Sequence, residues 1–114
     1  LAFEDVCRDI VRGNVWHDCR FDRVGRWWSK EGEIDVVATS EAENTLLCGE
    51  AKWSVRQVGT DILDDLKRKA ALVPWGKPGR KELFVLFSRS GYTDELKRCA
   101  SGEGVILWEP EASF

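Results

Sequence analysis

Asp35, on one run of alternating residues, and Glu50-Ala51-Lys52, on the next, are the residues whose types and spacing carry chemistry in this chain. Side chains on a strand alternate between faces, so Glu50 and Lys52 point the same way while Ala51 turns into the core. Pairing the two runs as an antiparallel hairpin around 40–44 offers a register that sets Asp35 against Glu50 and Glu33 against Lys52. Two carboxylates facing each other across a sheet repel, and a cation between them removes that penalty. The pattern is that of a metal site.

The elements that must position these residues follow from periodicity. Leu1, Phe3, Val6, Ile10 and Val11 recur at helical spacing, predicting a helix to about Arg12, stopped by Gly13-Asn14 in a left-handed conformation. Val24 to Trp28, Glu33 to Ala38 and Thr45 to Trp53 read as three successive strands, separated by a polar turn at 29–32 and a loop at 40–44. Val58, Ile62, Leu63, Leu66, Ala70 and Val73 define a second helix, with acids early and Lys67, Arg68 and Lys69 late, as the helix dipole favours. Pro74, Gly76, Pro78 and Gly79 end it. Leu83 to Phe87 is a continuous apolar run, expected of a core strand covered on both faces. Thr93 is the expected N-cap of a third helix through Ser101, with Gly102 past its end, and Val105 to Trp108 is the last strand. The order α-β-β-β-α-β-α-β requires a mixed β-sheet flanked by helices, an α/β fold in which hairpins link the front half and helical crossovers the rest.

The 114 residues suit one domain, 1–114, with a real core. The absence of Met and the helical pattern beginning at the first residue suggest a piece of something longer. No apolar run approaches a bilayer span and nothing resembles a secretory signal, so a soluble, cytoplasmic protein with no membrane partner is expected. A net charge of −3 gives no global attraction to phosphate, so nucleic-acid binding requires a local patch. Charged residues make up 32% while Asn and Gln are scarce, a bias associated with thermophiles. Cys7, Cys19, Cys48 and Cys99 lack zinc spacing and read as small buried apolar residues, with a disulfide left open for a hyperthermophile source. Most of the six tryptophans are expected in the core, and any exposed ones could stack on bases.

The order of elements and motifs resembles the PD-(D/E)XK nuclease superfamily, with its restriction-endonuclease-like core, an acid on the second strand and Glu/Asp-x-Lys on the third. Asp35 and Glu50-Ala51-Lys52 fall on those elements, and Glu4 sits on the first helix, where many members carry another acid. Ile34 stands where the superfamily's proline would be. More narrowly, Val24 to Trp28, Glu33-Ile34-Asp35, Gly49 to Trp53 and Phe87 to Tyr92 resemble the C-terminal nuclease-like domain of archaeal AAA-type ATPases. The resemblance implies a Mg²⁺- or Mn²⁺-dependent endonuclease hydrolysing DNA phosphodiester bonds, attached to an ATPase module in the same chain, and it implies a two-fold assembly. Asp35, Glu50 and the Ala51 carbonyl would hold the ion. Lys52 would orient or activate the attacking water or stabilise the transition state. Glu4 would bind a second ion or hydrogen-bond a metal water. Arg56 and Gln57, just past Trp53, and Lys77 and Arg80, in the glycine-rich loop, are candidate contacts to the DNA backbone.

Each residue also has a plainer reading. Glu33 and Lys52 could form a cross-strand ion pair, Glu4 could be a first-turn acid on a surface helix, and the 75–80 stretch could be a solvated turn. Three functions follow. The first is a DNA-cleaving metal enzyme. The second is an inactive nuclease fold that binds DNA or regulates the ATPase, and the third is an interaction domain that docks a partner on its tryptophans.

Overall fold

The alternating runs form a five-stranded sheet with helices on both faces in the computed structural model, which describes residues 2–101 and 104–110. The elements are α1 (Phe3–Arg12), β1 (Arg23–Ser29), β2 (Gly32–Ser40), β3 (Thr45–Lys52), α2 (Thr60–Ala70), β4 (Lys81–Ser88), α3 (Asp94–Ala100) and β5 (Val105–Trp108), in the order expected from the sequence. The strands lie side by side in chain order. β1, β2 and β3 pair antiparallel through short turns, while β3–β4 and β4–β5 pair parallel because α2 and α3 carry the chain back across the sheet.

Each face of the sheet has its own core. On one, Cys7 and Val11 of α1, with Trp16 and Phe21 from the segment after it, pack on Val36, Ala38, Leu47, Ala51, Val85 and Phe87. On the other, Leu63, Leu66 and Ala70 of α2 and Leu96 of α3 pack on Ile34, Leu46, Cys48, Phe84 and Leu86. Central β3 and its neighbour β4 are therefore apolar on both faces, and their ends carry what chemistry the chain has. The Thr93 hydroxyl accepts from the Leu96 N–H and caps α3 as expected.

Three expectations need correction. Gly13 ends α1 in the right-handed region, φ −88°, because its N–H bonds to the Asp9 carbonyl and the Asn14 side chain donates to the Ile10 carbonyl, so a left-handed residue is not required. Of the tryptophans, Trp16 is buried and Trp27, Trp75 and Trp108 are partly buried against the two cores, as expected of most of them, while Trp28 and Trp53 are exposed at strand ends. Cys99 faces solvent because Leu96 and Ala100 take the buried side of α3, and all four cysteines are free thiols. β3 stops at Lys52, one residue before Trp53. Leu1 and Gly102 lie outside the described residues.

The register between β1 and β2 slips once. Gly25 pairs with Val37 but Trp27 pairs with Ile34, so two steps on β1 are matched by three on β2, and Asp35 and Val36 both stand against Arg26. This is a β-bulge, which reverses facing along the strand. Ile34 accordingly packs on the α2 side and Val36, two residues on, packs on the α1 side. The β2–β3 ladder ends at Val36 and Gly49, one residue short of setting Asp35 against Glu50.

Gly49 is required by close packing where β2, β3 and β4 meet. A Cβ there would stand 2.9 Å from Val85 Cγ1 and 3.2 Å from both Val36 Cβ and the Val85 carbonyl oxygen. Gly49→Ala should therefore cost about 1 to 3 kcal/mol of stability through overpacking. Thermal unfolding should show a melting temperature lowered by about 4 °C or more, and an unchanged melting temperature would contradict this packing.

Candidate functional site

The bulge decides what Asp35 does. Freed from the ladder, its backbone carbonyl accepts from Arg8 Nη1 of α1 at 2.6 Å, and its carboxylate Oδ2 accepts from the Ala51 N–H at 3.0 Å. The side chain thus supplies the cross-strand bond that a regular ladder would have made through the backbone. Arg8 is itself steadied by Asp5, at 2.5 Å. Asp35 is pinned at both ends, directly beside the Glu50-Ala51-Lys52 tripeptide.

Glu50 lies on the opposite face of β3 from Ala51 and is buried. Its Oε1 accepts from Lys69 Nζ of α2 at 2.7 Å, and Lys52 Nζ stands 3.9 Å from Oε2. Lys69 is buried too, and it also meets Asp65 Oδ2 at 3.2 Å. Burial, reinforced by the nearby Asp35 carboxyl, outweighs the Lys69 hydrogen bond and pushes the Glu50 pKa up to about 7. Burial works against the charge of Lys69, but its bonds to Glu50 and Asp65 prevail and hold it protonated. The result is a proton-hungry carboxyl with one committed ammonium, one looser ammonium and a second carboxyl alongside.

Asp35, Glu50, Ala51 and Lys52 are thus brought together. Glu4 joins Asp35, Arg8, Arg26, Trp28 and Glu33 around a cleft of about 290 Å³ on the α1 side. Lys52 opens onto a different cavity, of about 620 Å³, shared with Arg56 and Gln57. The β2–β3 ladder stops at Val36 and Gly49, before Glu33 and Lys52 would pair, and Lys52 has Glu50 as an ion partner, so the ladder does not set Glu33 against Lys52 as expected. Lys77 and Arg80 lie at the other end of the sheet. The Lys77 backbone is bound to the Asn44 side chain just before β3, and the Arg80 guanidinium is spent on the carbonyls of Ala70, Val73 and Trp75 and the carboxylate of Glu82. Arg80 is a structural clamp on the turn after α2, which removes it from the DNA contacts expected of it. The Cys7 and Cys48 thiols are pushed up to about 12 by burial and are unsuited to nucleophilic chemistry.

Two residues of the site escape a reading by motif. Lys69 follows Leu63 and Leu66 along the buried stripe of α2, and a lysine on an apolar stripe is the signal that could have found it. Arg8 carries no such signal, because its partner is a carbonyl that only the bulge exposes.

Carboxylate oxygens such as those of Asp35 and Glu50 are the kind of donor a hard divalent ion takes. Asp35 Oδ2 and Glu50 Oε1 are hydrogen-bonded, and Glu50 Oε2 has only the looser contact with Lys52 at 3.9 Å, which a ligand would have to displace or share. Mg²⁺ keeps several waters and needs only one or two carboxylates. Among the described residues no three His, Cys, Asp or Glu side chains are grouped closely enough to hold a metal, so Glu4 does not complete a three-carboxylate set.

The fold and site define a mixed α/β domain with a buried carboxylate–lysine cluster at the end of its central strands. The chain belongs to the DUF234 family, archaeal and bacterial proteins of unknown function, whose model matches residues 1–64. That match takes in α1, the bulged β2 and the whole of β3. The chain is also similar to an uncharacterised protein of Methanocaldococcus jannaschii, 33% identical over 79 residues, or 64% of this chain. It spans 18% of that protein's length. No solved structure matches the chain. Among the described residues no helix is long and apolar enough to cross a membrane.

The buried Glu50–Lys69 pair has a definite pH signature. The folded chain holds the Glu50 proton up to about pH 7, whereas a free glutamate releases it near 4.5, so this group favours folding most below 4.5 and progressively less as pH rises to 7. Lys69→Met, which removes the counter-charge, should cost about 3 kcal/mol at about pH 8, where Glu50 is ionised, and clearly less at about pH 5. Urea unfolding with a chelator present measures both, and equal losses at the two pH values would contradict the coupling.

Proposed function

We propose that this domain is a metal-dependent, PD-(D/E)XK-type endonuclease-like module that hydrolyses DNA phosphodiester bonds, carried in a longer protein beside an ATPase module. The observation that supports it most is the convergence of Asp35, Glu50 and Lys52 at one end of the sheet, where the Asp35 carboxylate bonds to the Ala51 N–H and Lys52 stands 3.9 Å from Glu50. Asp35, Glu50 and the Ala51 carbonyl would hold Mg²⁺ or Mn²⁺, which when bound acidifies water and neutralises charge on the scissile phosphate. The chain's own groups do the positioning. Arg8 fixes Asp35 through its backbone, Lys69 fixes Glu50 through one oxygen, and Lys52, partly exposed, would orient the attacking water or meet the developing phosphate charge. Glu4, which lines the same cleft as Asp35, would hydrogen-bond a water of the ion. Arg56 and Gln57, which line a cavity with Lys52, would meet the flanking backbone.

A second reading is favoured by one observation: the Lys69 ammonium already occupies Glu50 Oε1 at 2.7 Å, as a built-in cation would in a nuclease fold that binds DNA or regulates its ATPase without cutting. The two readings separate on activity. With Mg²⁺ or Mn²⁺, the chain should cleave supercoiled, linear or branched DNA, and Asp35→Asn and Lys52→Ala should each lower the rate by about 100-fold or more, with folding unchanged by circular dichroism. An inert wild type that still binds DNA would favour the second reading.

A further inference from the structure

Trp28 and Trp53 are 64% and 63% exposed, so each leaves a broad indole surface open to solvent. Both belong to the α1 side of the sheet and flank the first turn of α1. Phe3 packs on Trp53 with ring centroids 5.0 Å apart, and Glu4, the next residue, shares its cleft with Trp28. Each indole is backed by a guanidinium: Arg26 lies 5.2 Å from the Trp28 ring centroid and Arg89 lies 5.1 Å from that of Trp53. Arg89 is held there because its backbone N–H bonds to the Lys52 carbonyl. Trp53 directly follows Lys52, and Trp28 pairs with Glu33, two residues before Asp35, so the two platforms bracket the carboxylate site.

We propose that Trp28 and Trp53 are stacking platforms for unpaired bases, and that the ligand of this site is single-stranded DNA or an unpaired segment of a branched one. The proposal rests on the nuclease-fold reading and narrows its substrate. A duplex hides the faces of its bases, and only an unpaired base can lie on an exposed indole. A duplex binder also needs a long basic stripe for two phosphate backbones, whereas this chain carries a net charge of −3. What it has is two guanidinium groups, on Arg26 and Arg89, set over aromatic rings, with the exposed Arg56 three residues past Trp53, a pairing that holds a strand by its bases and neutralises a few phosphates.

The test is fluorescence anisotropy of labelled oligothymidylate with the purified chain, in chelator so that cleavage plays no part, with the matching duplex as competitor. Wild type should bind the single strand and prefer it to the duplex. Trp28→Ala and Trp53→Ala should each weaken single-strand binding about 5- to 100-fold, and Trp28→Phe and Trp53→Phe should stay within about threefold of wild type because a ring remains. Equal or tighter binding to duplex, no binding to oligothymidylate, or Ala variants that bind like wild type would overturn the proposal. Cleavage with Mn²⁺, assayed separately, distinguishes the two readings: intact stacking without cleavage removes the nuclease and keeps the platforms, and cleavage without stacking does the reverse.

Discussion

A carboxyl taken out of water has to be protonated, bonded or given a counter-charge, and Glu50 imposes that requirement on everything around it. β3 is central and apolar on both faces, so its residue 50 keeps little contact with bulk solvent. Lys69 is drawn into the buried stripe of α2 to meet it, and Asp65 in turn shares the charge of Lys69. Replacing such a pair with apolar side chains of similar volume is often neutral or stabilising, so folding alone gives little reason for it. On the proposed reading the cluster is a site held ready for a ligand of high charge.

The bulge in β2 supplies the other half. A regular strand would have carried Asp35 straight along the ladder opposite Glu50, two like charges with their backbones locked together. The extra residue lets the ladder end at Val36, turns the Asp35 carboxylate onto the Ala51 N–H and leaves its carbonyl for Arg8. α1 is thereby tied to the site through Arg8, through Glu4 in the cleft, and through Phe3 against Trp53. Bulges concentrate where a sheet has to aim a side chain, and this one aims the acid that the sequence pattern singles out.

The elements themselves were legible, because hydrophobic period and turn residues are local. The helices at Phe3–Arg12, Thr60–Ala70 and Asp94–Ala100, the hairpins and the two parallel pairings all follow from apolar spacing and connection length. What escaped depends on contacts far apart in the chain. Nothing in Glu33-Ile34-Asp35-Val36-Val37 announces that Ile34 and Val36 face opposite ways, since both are apolar and both faces of the sheet are covered. Arg80 looked available for phosphate because a loop arginine usually is, yet three carbonyls left over by the end of α2 and the turn after it claimed it. Lys69 was absorbed into a basic helix end that satisfied the dipole rule, which hid its place on the buried stripe. Among the tryptophans bulk is a fair guide to burial for Trp16, Trp27, Trp75 and Trp108, while strand-end positions leave Trp28 and Trp53 exposed.

The central claim is that Asp35 and Glu50 jointly hold one divalent ion despite the ammonium already on Glu50, and calorimetric titration with Mn²⁺ addresses it most directly. The account predicts one Mn²⁺ per chain for the wild type and no measurable heat for either Asp35→Asn or Glu50→Gln in folded protein. No binding by the wild type, or binding that survives in both variants, would contradict it.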